Sequence, residues 1–273
     1  MEYVLNHNSL SESLQLIVGF LYLYKKYNIM KFIKVFADDA AYKAYRDSGD
    51  GYIRPNVSLS KDTKKVFYND PIWEANGHDY EDLGLPSGTL WATMNVGASK
   101  PSEAGLYFQW GDTVGYTKDQ VGTGNGQNKF AKDWSDYKWG ADPNFSKYTT
   151  TGAKLDLEDD AAHANMKGDW HMPTPEQIQE LINETTSTWT AQGGVNGRLF
   201  TSKKDGSKSV FFPAAGYAQD GSVNLSGSFC DVWSSLLDSG SVGYGQSLGF
   251  SSGNVNLDGY GRCGGLSVRG VLG

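Results

Sequence analysis

Beyond about residue 77 the apolar residues come in short groups cut apart by glycine, and only brief stretches follow a helical period. With 34 Gly against 8 Pro, and 8 Trp and 16 Tyr to bury, such a chain must wrap tight turns around an aromatic core. HDYEDLGLPSGTLWATMNVGA therefore reads as short strands broken by Gly and Pro-Ser-Gly turns. From Gly111 to Gly152 no period survives, which predicts a long excursion pinned by Trp134, Tyr137 and Trp139. LDLEDDAAHANMKGDW is expected to be helical up to Gly168. TPEQIQELINETT carries the signals of a second helix, with Thr174 as N-cap, Pro175 at the first helical position and Glu176 beside the helix dipole. Ile178, Leu181 and Ile182 give that helix one apolar face, and strands resume after Trp189, so the fold class is α+β ending in sheet.

Residues 30–76 read as a small α/β attachment module. KFIKVF suits a strand and DDAAYKAYRD a helix begun by acids. NVSLS and KVFYN alternate across the turn residues KDTK as a hairpin does. Residues 1–29 contain the one strongly apolar run, LQLIVGFLYLY, shorter than the roughly 20 residues that span a bilayer. Two readings stand for this extension: an amphipathic or buried helix, or translation from too early a start codon, the second preferred because Met30 opens a more ordinary beginning. Lys25 and Lys26 follow the run instead of preceding it, no small-residue cleavage site follows, and no lipid-attachment cysteine lies nearby, so no secretory signal or lipobox is expected.

A formal net charge of −7 over 273 residues offers no phosphate-neutralising surface, so nucleic acid is excluded as a partner. Cys230 and Cys263 allow at most one disulfide and say nothing of the compartment.

EDLGLPSGTLWATMNVGA at 81–98, AGLYFQWGD at 104–112, LDLEDDAAHANM at 155–166, DWHMPTPEQIQELI at 169–182, FFPAAGY at 211–217, VWSS at 232–235 and GLSVRGV at 265–271 follow one another at sensible spacing. Together they resemble the Fibrobacter succinogenes major paralogous domain over residues 77–273. The resemblance implies a C-type-lectin-like domain with two helices, small twisted antiparallel sheets and long loops converging on one face. Trp91, Trp110, Trp170 and Trp233 would then be core anchors. The segment at 30–72 is similar, more weakly, to lead-in modules of phage and surface proteins.

The last residues are compositionally odd. From Ser222 onward there is no Lys, Glu or Met, and only Trp233 and Gln246 represent Trp and Gln. Average usage would supply several Lys and Glu over such a length. Some C-type-lectin-like proteins are diversified by retroelements that mutate template adenines; randomised Asn codons give many residue types but never Lys, Glu, Gln, Met or Trp. On that account a variable region at about 229–264 would contact ligand through Phe229, Cys230, Asp238, Val242, Gly243, Tyr244, Gly245, Ser247, Gly249, Ser251, Asp258, Gly259, Tyr260, Gly261, Cys263 and Gly264. Tyr and Phe offer area at low rotamer cost and Gly and Ser let loops adapt, as in antibody paratopes, which makes Phe229, Tyr244 and Tyr260 the expected hot spots. Ordinary turn chemistry in a Gly- and Ser-rich sheet domain is the competing explanation.

Catalytic readings find little support in the sequence. His7, His78, His163 and His171 have no partner at metal-ligand spacing. Glu158, Asp159 and Asp160 are expected to point apart along a helix as a solvated acidic face. Asp142, Pro143 and Asn144 resemble half of a sugar-lectin calcium motif whose second half is missing, so no metal and no other cofactor is expected. The formylglycine-generating relatives use a closely spaced cysteine pair, unlike Cys230 and Cys263, so the chain is not expected to be an enzyme. The expectation is a receptor- or ligand-binding protein of a phage tail or bacterial surface. Its partner would be a bacterial cell-surface protein or glycan, and trimer formation would add avidity. A structural or cell-envelope module of the same family is the alternative.

Overall fold

A computed structural model of the chain describes Ile33–Val35, Val57–Leu59, Lys65–Tyr68 and residues 73–121 and 133–273. The chain divides into two compact units, the second running on to Gly273 from Glu74. In the first unit β1 (Ile33–Val35), β2 (Val57–Leu59) and β3 (Lys65–Tyr68) form a sheet in the order β1-β3-β2. Ser58 faces Phe67 across the antiparallel β2–β3 pair, the pairing that alternation in NVSLS and KVFYN predicts. The helix expected over DDAAYKAYRD and the reading of residues 1–29 lie outside the described residues.

The second unit is α+β, built of small sheets with three α-helices among the described residues. Its strands are β4 (Trp73–Ala75), β5 (His78–Glu81), β6 (Leu90–Ala92), β7 (Tyr107–Phe108), β8 (Gly140–Ala141), β9 (Asn144–Phe145), β10 (Thr185–Gln192), β11 (Val195–Ser202) and β12 (Ser209–Pro213). After them come β13 (Tyr217–Gln219), β14 (Ser222–Asn224), β15 (Phe229–Leu237), β16 (Tyr244–Ser251), β17 (Val255–Gly261), β18 (Leu266–Ser267) and β19 (Val271–Leu272). The helices are α1 (Lys118–Val121), α2 (Ala161–Met166) and α3 (Pro175–Glu184). Strand β19 closes the unit by pairing with β6, Val271 opposite Trp91, in the sheet β19-β6-β5-β4.

Helix α3 starts where its sequence says it should. Thr174 Oγ1 accepts from the Gln177 amide while Gln177 Oε1 accepts from the Thr174 amide, a reciprocal capping box, and Pro175 follows at the first position. Ile178 and Leu181 are buried beneath it, with Ile182 at the edge of the same cluster. The helix expected from Leu155 differs. Leu157–Asp159 forms a 3-10 turn, and Asp160, in an extended conformation, caps the separate helix α2 by accepting from the His163 amide. The same carboxylate accepts from the amide of Met172, so the break ties α2 to the chain that follows it.

The five-stranded sheet β17-β16-β15-β18-β7 organises the interior. All its pairs are antiparallel except β15 with β18, where Val232 lies beside Ser267. Residues along these strands alternate between two apolar clusters, as pleating requires. Cys230, Val232, Leu248 and Phe250 enter one cluster with Trp91, Phe212 and the apolar face of α3. Trp233, Leu237 and Leu266 enter the other with Trp110, Trp139 and Trp170. Trp91, Trp110, Trp170 and Trp233 are all fully buried, as expected of core anchors. The long excursion is pinned as its aromatic residues predict, by Tyr137 and Trp139 in the core with Trp134 packed against them.

Candidate ligand-binding face

Strands β15, β16 and β17 lie side by side, so residue parity decides which side chains share a face. Phe229, Asp231 and Trp233 from β15 stand on the same face as Gly245, Ser247, Gly249 and Ser251 from β16. Asn256, Asp258 and Tyr260 from β17 join them. At one end Trp233 and Gly245 are covered by Trp110 and Tyr260 and belong to the second core. At the other end Asn256 and Asp258 are exposed and Phe229 and Ser251 half-buried, so the face reaches solvent. Aromatic rings wall one side: Phe229 packs edge-on to Tyr217 at 6.3 Å, Tyr217 lies 5.2 Å from Tyr260, and Tyr260 6.3 Å from Trp233. The Tyr260 hydroxyl donates to Gln219 Oε1, which fixes the wall.

Asp231 lies at the floor, only 3% exposed. Ser247 Oγ donates to its Oδ1 at 3.1 Å. Among the described residues, no Lys, Arg or His pairs with this carboxyl. Burial pushes its pKa up to about 7; the Ser247 bond opposes the rise and the neighbouring Asp258 charge adds to it.

Of the sixteen positions expected to contact ligand, seven therefore share this face: Phe229, Gly245, Ser247, Gly249, Ser251, Asp258 and Tyr260. Asp238, Val242 and Gly243 lie in the turn between β15 and β16, and Tyr244, at its end, is exposed. Gly259 and Gly261 take the alternate parity of β17. The structure corrects two assignments outright. Cys230 points into the core beside Val232 and is fully buried, so it has no contact to offer. Cys263 is packed in the second core, and its carbonyl accepts from Gln109 Nε2. Burial raises both thiols to about 12, which keeps them protonated. Gly243, Gly245, Ser247, Gly249 and Gly264 are likewise enclosed.

The glycines separate by the room around them. A Cβ at Gly245 would lie 2.6 Å from Trp110 and 2.9 Å from Trp233, and one at Gly264 would lie 2.3 Å from the Tyr260 ring. At Gly259 and Gly261 nothing comes closer than 3.9 Å. Gly245→Ser should therefore destabilise the protein by about 1–3 kcal/mol, the usual cost of overpacking a filled core. Gly259→Ser should stay within ~0.5 kcal/mol, as substitutions away from such features do. Urea denaturation of the two variants checks this, and equal losses would mean that packing does not set which positions can vary.

Asp231, Asn256 and Tyr217 belong to the face but were not anticipated from the sequence. Period-two reading from Phe229 carries the signal for Asp231, since strand alternation places residues 229, 231 and 233 together.

Two other features compete for attention. Asp156, Glu158 and Asp159 do converge, contrary to the expectation of a diverging acidic face, because a 3-10 turn replaces the α-helix. Their carboxylates meet the Lys147 ammonium, 2.9 Å from Asp156, 3.1 Å from Glu158 and 2.5 Å from Asp159, with Lys138 on the other oxygen of Asp159. Asp160 points elsewhere, as the cap of α2. A cleft of about 230 Å³ lies apart from the C-terminal strands, lined by His78, Asp79, Asn95, Leu106 and Met166 among others. His163 and His171 bond to backbone carbonyls of Trp170, Met172 and Gly273, and His7 lies outside the described residues. No helix among the described residues is long and apolar enough to cross a membrane.

No family model, curated protein or solved structure matches this chain.

Proposed function

We propose that the chain is a ligand- or receptor-binding protein that presents the solvent-reaching end of the β15–β17 face from a C-type-lectin-like scaffold, on a phage tail or bacterial surface. One observation carries the reading. Seven of the sixteen positions singled out because their residue types look interchangeable fall on alternate residues of three adjacent strands, and four of these, Phe229, Ser251, Asp258 and Tyr260, are half-buried or exposed. Among the described residues, two fully buried arginines, Arg262 and Arg269, and four fully buried tryptophans hold the frame beneath. The composition of the tract supports diversification by a retroelement. The contact logic is that of a paratope: Phe229, Tyr244 and Tyr260 supply area and the small residues supply adaptability. The target would be a cell-surface protein or glycan, and a homotrimer would multiply weak sites through avidity.

The purified full chain should bind at least one member of a glycan array or a panel of bacterial cells. The double variant Phe229→Ala/Tyr244→Ala should weaken that binding at least tenfold, about 1.4 kcal/mol, with an unchanged melting curve. Silence on both panels, or binding indifferent to the double variant, would favour a structural envelope module. A reverse transcriptase gene and a near-repeat of the 3′ end, differing at adenines, should adjoin the coding sequence if the face is diversified.

A further inference from the structure

The cleft of about 230 Å³ takes its walls from β5, the loop at 94–98 and the end of α2. Each wall is fastened by bonds within the protein. The β4–β5 hairpin turns through Asn76 and Gly77, both at positive φ, and Asn76 Nδ2 donates to the Met166 carbonyl at 2.7 Å, which ties the hairpin to α2. Trp170 Nε1 reinforces the joint by donating to the Ala75 carbonyl at 2.9 Å. The loop is held through Val96, whose amide donates to the Val268 carbonyl and whose carbonyl accepts from the Leu106 amide. Asn95 spends its side chain in the same place, Nδ2 on the Ala104 carbonyl and Oδ1 on Arg269 Nε. Gly97 packs directly on Leu106, where a Cβ would stand 2.5 Å from Leu106 Cγ. The cleft is therefore preformed, as small-molecule sites usually are.

Size and lining narrow what fits. An apolar cavity of about 150 Å³ holds one benzene ring, so this cleft takes a body of roughly six to ten non-hydrogen atoms, smaller than a drug-sized ligand. Ala92, Val96 and Met166 are buried and apolar, and Leu106 packs against the second core, so much of the wall cannot hydrogen-bond. Two polar members of the lining keep capacity to spare. Asn165 gives Nδ2 to the carbonyls of Thr113 and Ala161, and its Oδ1 has no donor among the described residues. The ring of His78 stands edge-on to Trp170 at 6.2 Å, and its nitrogens have no hydrogen-bond partner among the described residues. Burial lowers its pKa against the opposing charge of Asp79, so at pH 7 the ring is neutral and offers one donor and one acceptor. Asp79 has a partner of its own. Its charge repels a carboxylate ligand, and an ammonium would lose its water against apolar walls. A hydroxyl donates through its hydrogen and accepts through its oxygen, so one atom answers both groups, whereas a carboxamide brings further N–H and carbonyl sites that apolar walls leave unsatisfied.

We propose that this cleft is a second binding site, one that takes a small neutral hydroxyl compound, an alcohol or a phenol. Its apolar body lies against Ala92, Val96, Leu106 and Met166, and its hydroxyl bonds to Asn165 Oδ1 and the His78 ring. None of these residues belongs to the β15–β17 face, so the two sites are tested separately.

The test uses the full chain labelled with ¹⁵N, titrated with phenol and cyclohexanol, with cyclohexanone, which has no donor, and with cyclohexylammonium and cyclohexanecarboxylate. Amides of Met94, Asn95, Gly97 and Asn165 should shift and saturate at roughly tenfold lower concentrations of phenol or cyclohexanol than of the other three. The order of the two hydroxyl compounds separates an aromatic ligand from an aliphatic one. His78→Phe keeps a ring beside Trp170 without its nitrogens and should weaken the hydroxyl response about fivefold, the loss of one ordinary hydrogen bond. Met94→Trp, at a half-buried position of the lining, should fill the cleft and abolish the response. No saturable shift, an equal response to cyclohexanone or to either charged compound, shifts confined to β15–β17, or an affinity unchanged in either variant overturns the proposal.

Discussion

Asp231→Asn should make the protein more stable at pH 8 and change its stability little at pH 4. A carboxyl whose folded pKa is raised favours the folded state only while it is protonated in both states. The contribution is fully present below the ordinary carboxyl value near 3.8 and is lost as pH rises through about 7. Over that window linkage removes up to ~4 kcal/mol, at about 1.4 kcal/mol per pKa unit. Asn is the same size, accepts the Ser247 hydroxyl through its amide oxygen and carries no charge to bury. The expected gain at pH 8 is therefore about 2–4 kcal/mol, the lower end allowing for relaxation and water around the carboxylate. Urea denaturation of the two proteins at pH 4, 6 and 8 measures it, with the difference growing as pH rises. Destabilisation by Asn at every pH would show that Asp231 is a structural acceptor and that its charge is not strained.

Retaining an acid that costs stability at neutral pH is what a recognition site does, since binding groups are often bought at the expense of folding free energy. The same reasoning sets Asp231 apart from the acids around Lys147. Those are paired with an ammonium, and Asp156 and Glu158 are exposed, where an ion pair adds little to stability.

Residues that obey local rules were legible in the sequence. The N-cap at Thr174, the apolar face at Ile178 and Leu181, and the hairpin pairing of Ser58 with Phe67 follow from patterns within a few residues, while the burial of the four tryptophans follows from the family resemblance. Partners distant along the chain were not legible. Whether Gly245 can accept a side chain depends on Trp110, and whether Cys230 faces solvent depends on its pairing with Phe250. Composition marked the tract as unusual, but it cannot assign parity: Cys230 and Phe229 are neighbours with the same suspected origin and lie on opposite faces. Asp231 was overlooked for the complementary reason, because Asp is ordinary in a loop and becomes informative only once burial is known. The 3-10 turn before α2 was hidden by Asp160, which sits in a run that looks helical and instead spends its carboxylate on the Met172 amide.

Arg262→Met should be the most damaging single substitution in the frame of the proposed binding face, and the reason lies in what its guanidinium holds. Arg262 is fully buried and has no carboxylate partner among the described residues. Nε donates to the Tyr137 hydroxyl at 2.8 Å, Nη1 to the carbonyls of Tyr148 and Val242 at 3.1 and 3.2 Å, and Nη2 to the Lys147 carbonyl at 3.1 Å. Rings of Phe145, Trp110, Tyr137 and Trp139 lie 4.2 to 5.6 Å from its central carbon, so aromatic faces disperse the charge that no acid neutralises. These bonds join the long excursion, through Tyr137, Lys147 and Tyr148, to the turn at Val242 between β15 and β16. Met fills much of the volume but leaves one buried acceptor, the Tyr137 hydroxyl, and three part-buried carbonyls without this donor, and each loss at a buried acceptor costs roughly 1–3 kcal/mol before relaxation. A net destabilisation of about 3–5 kcal/mol follows, matching the cost of breaking other buried charged networks. For a unit of this size that lowers Tm by ~10 °C. Arg262→Lys should recover only part of the loss, because a point charge with three donors cannot reach acceptors spread around a planar fork. Calorimetry on the two variants distinguishes the cases, and a Lys variant as stable as the parent would mean that charge alone, without the fork geometry, holds the turn in place.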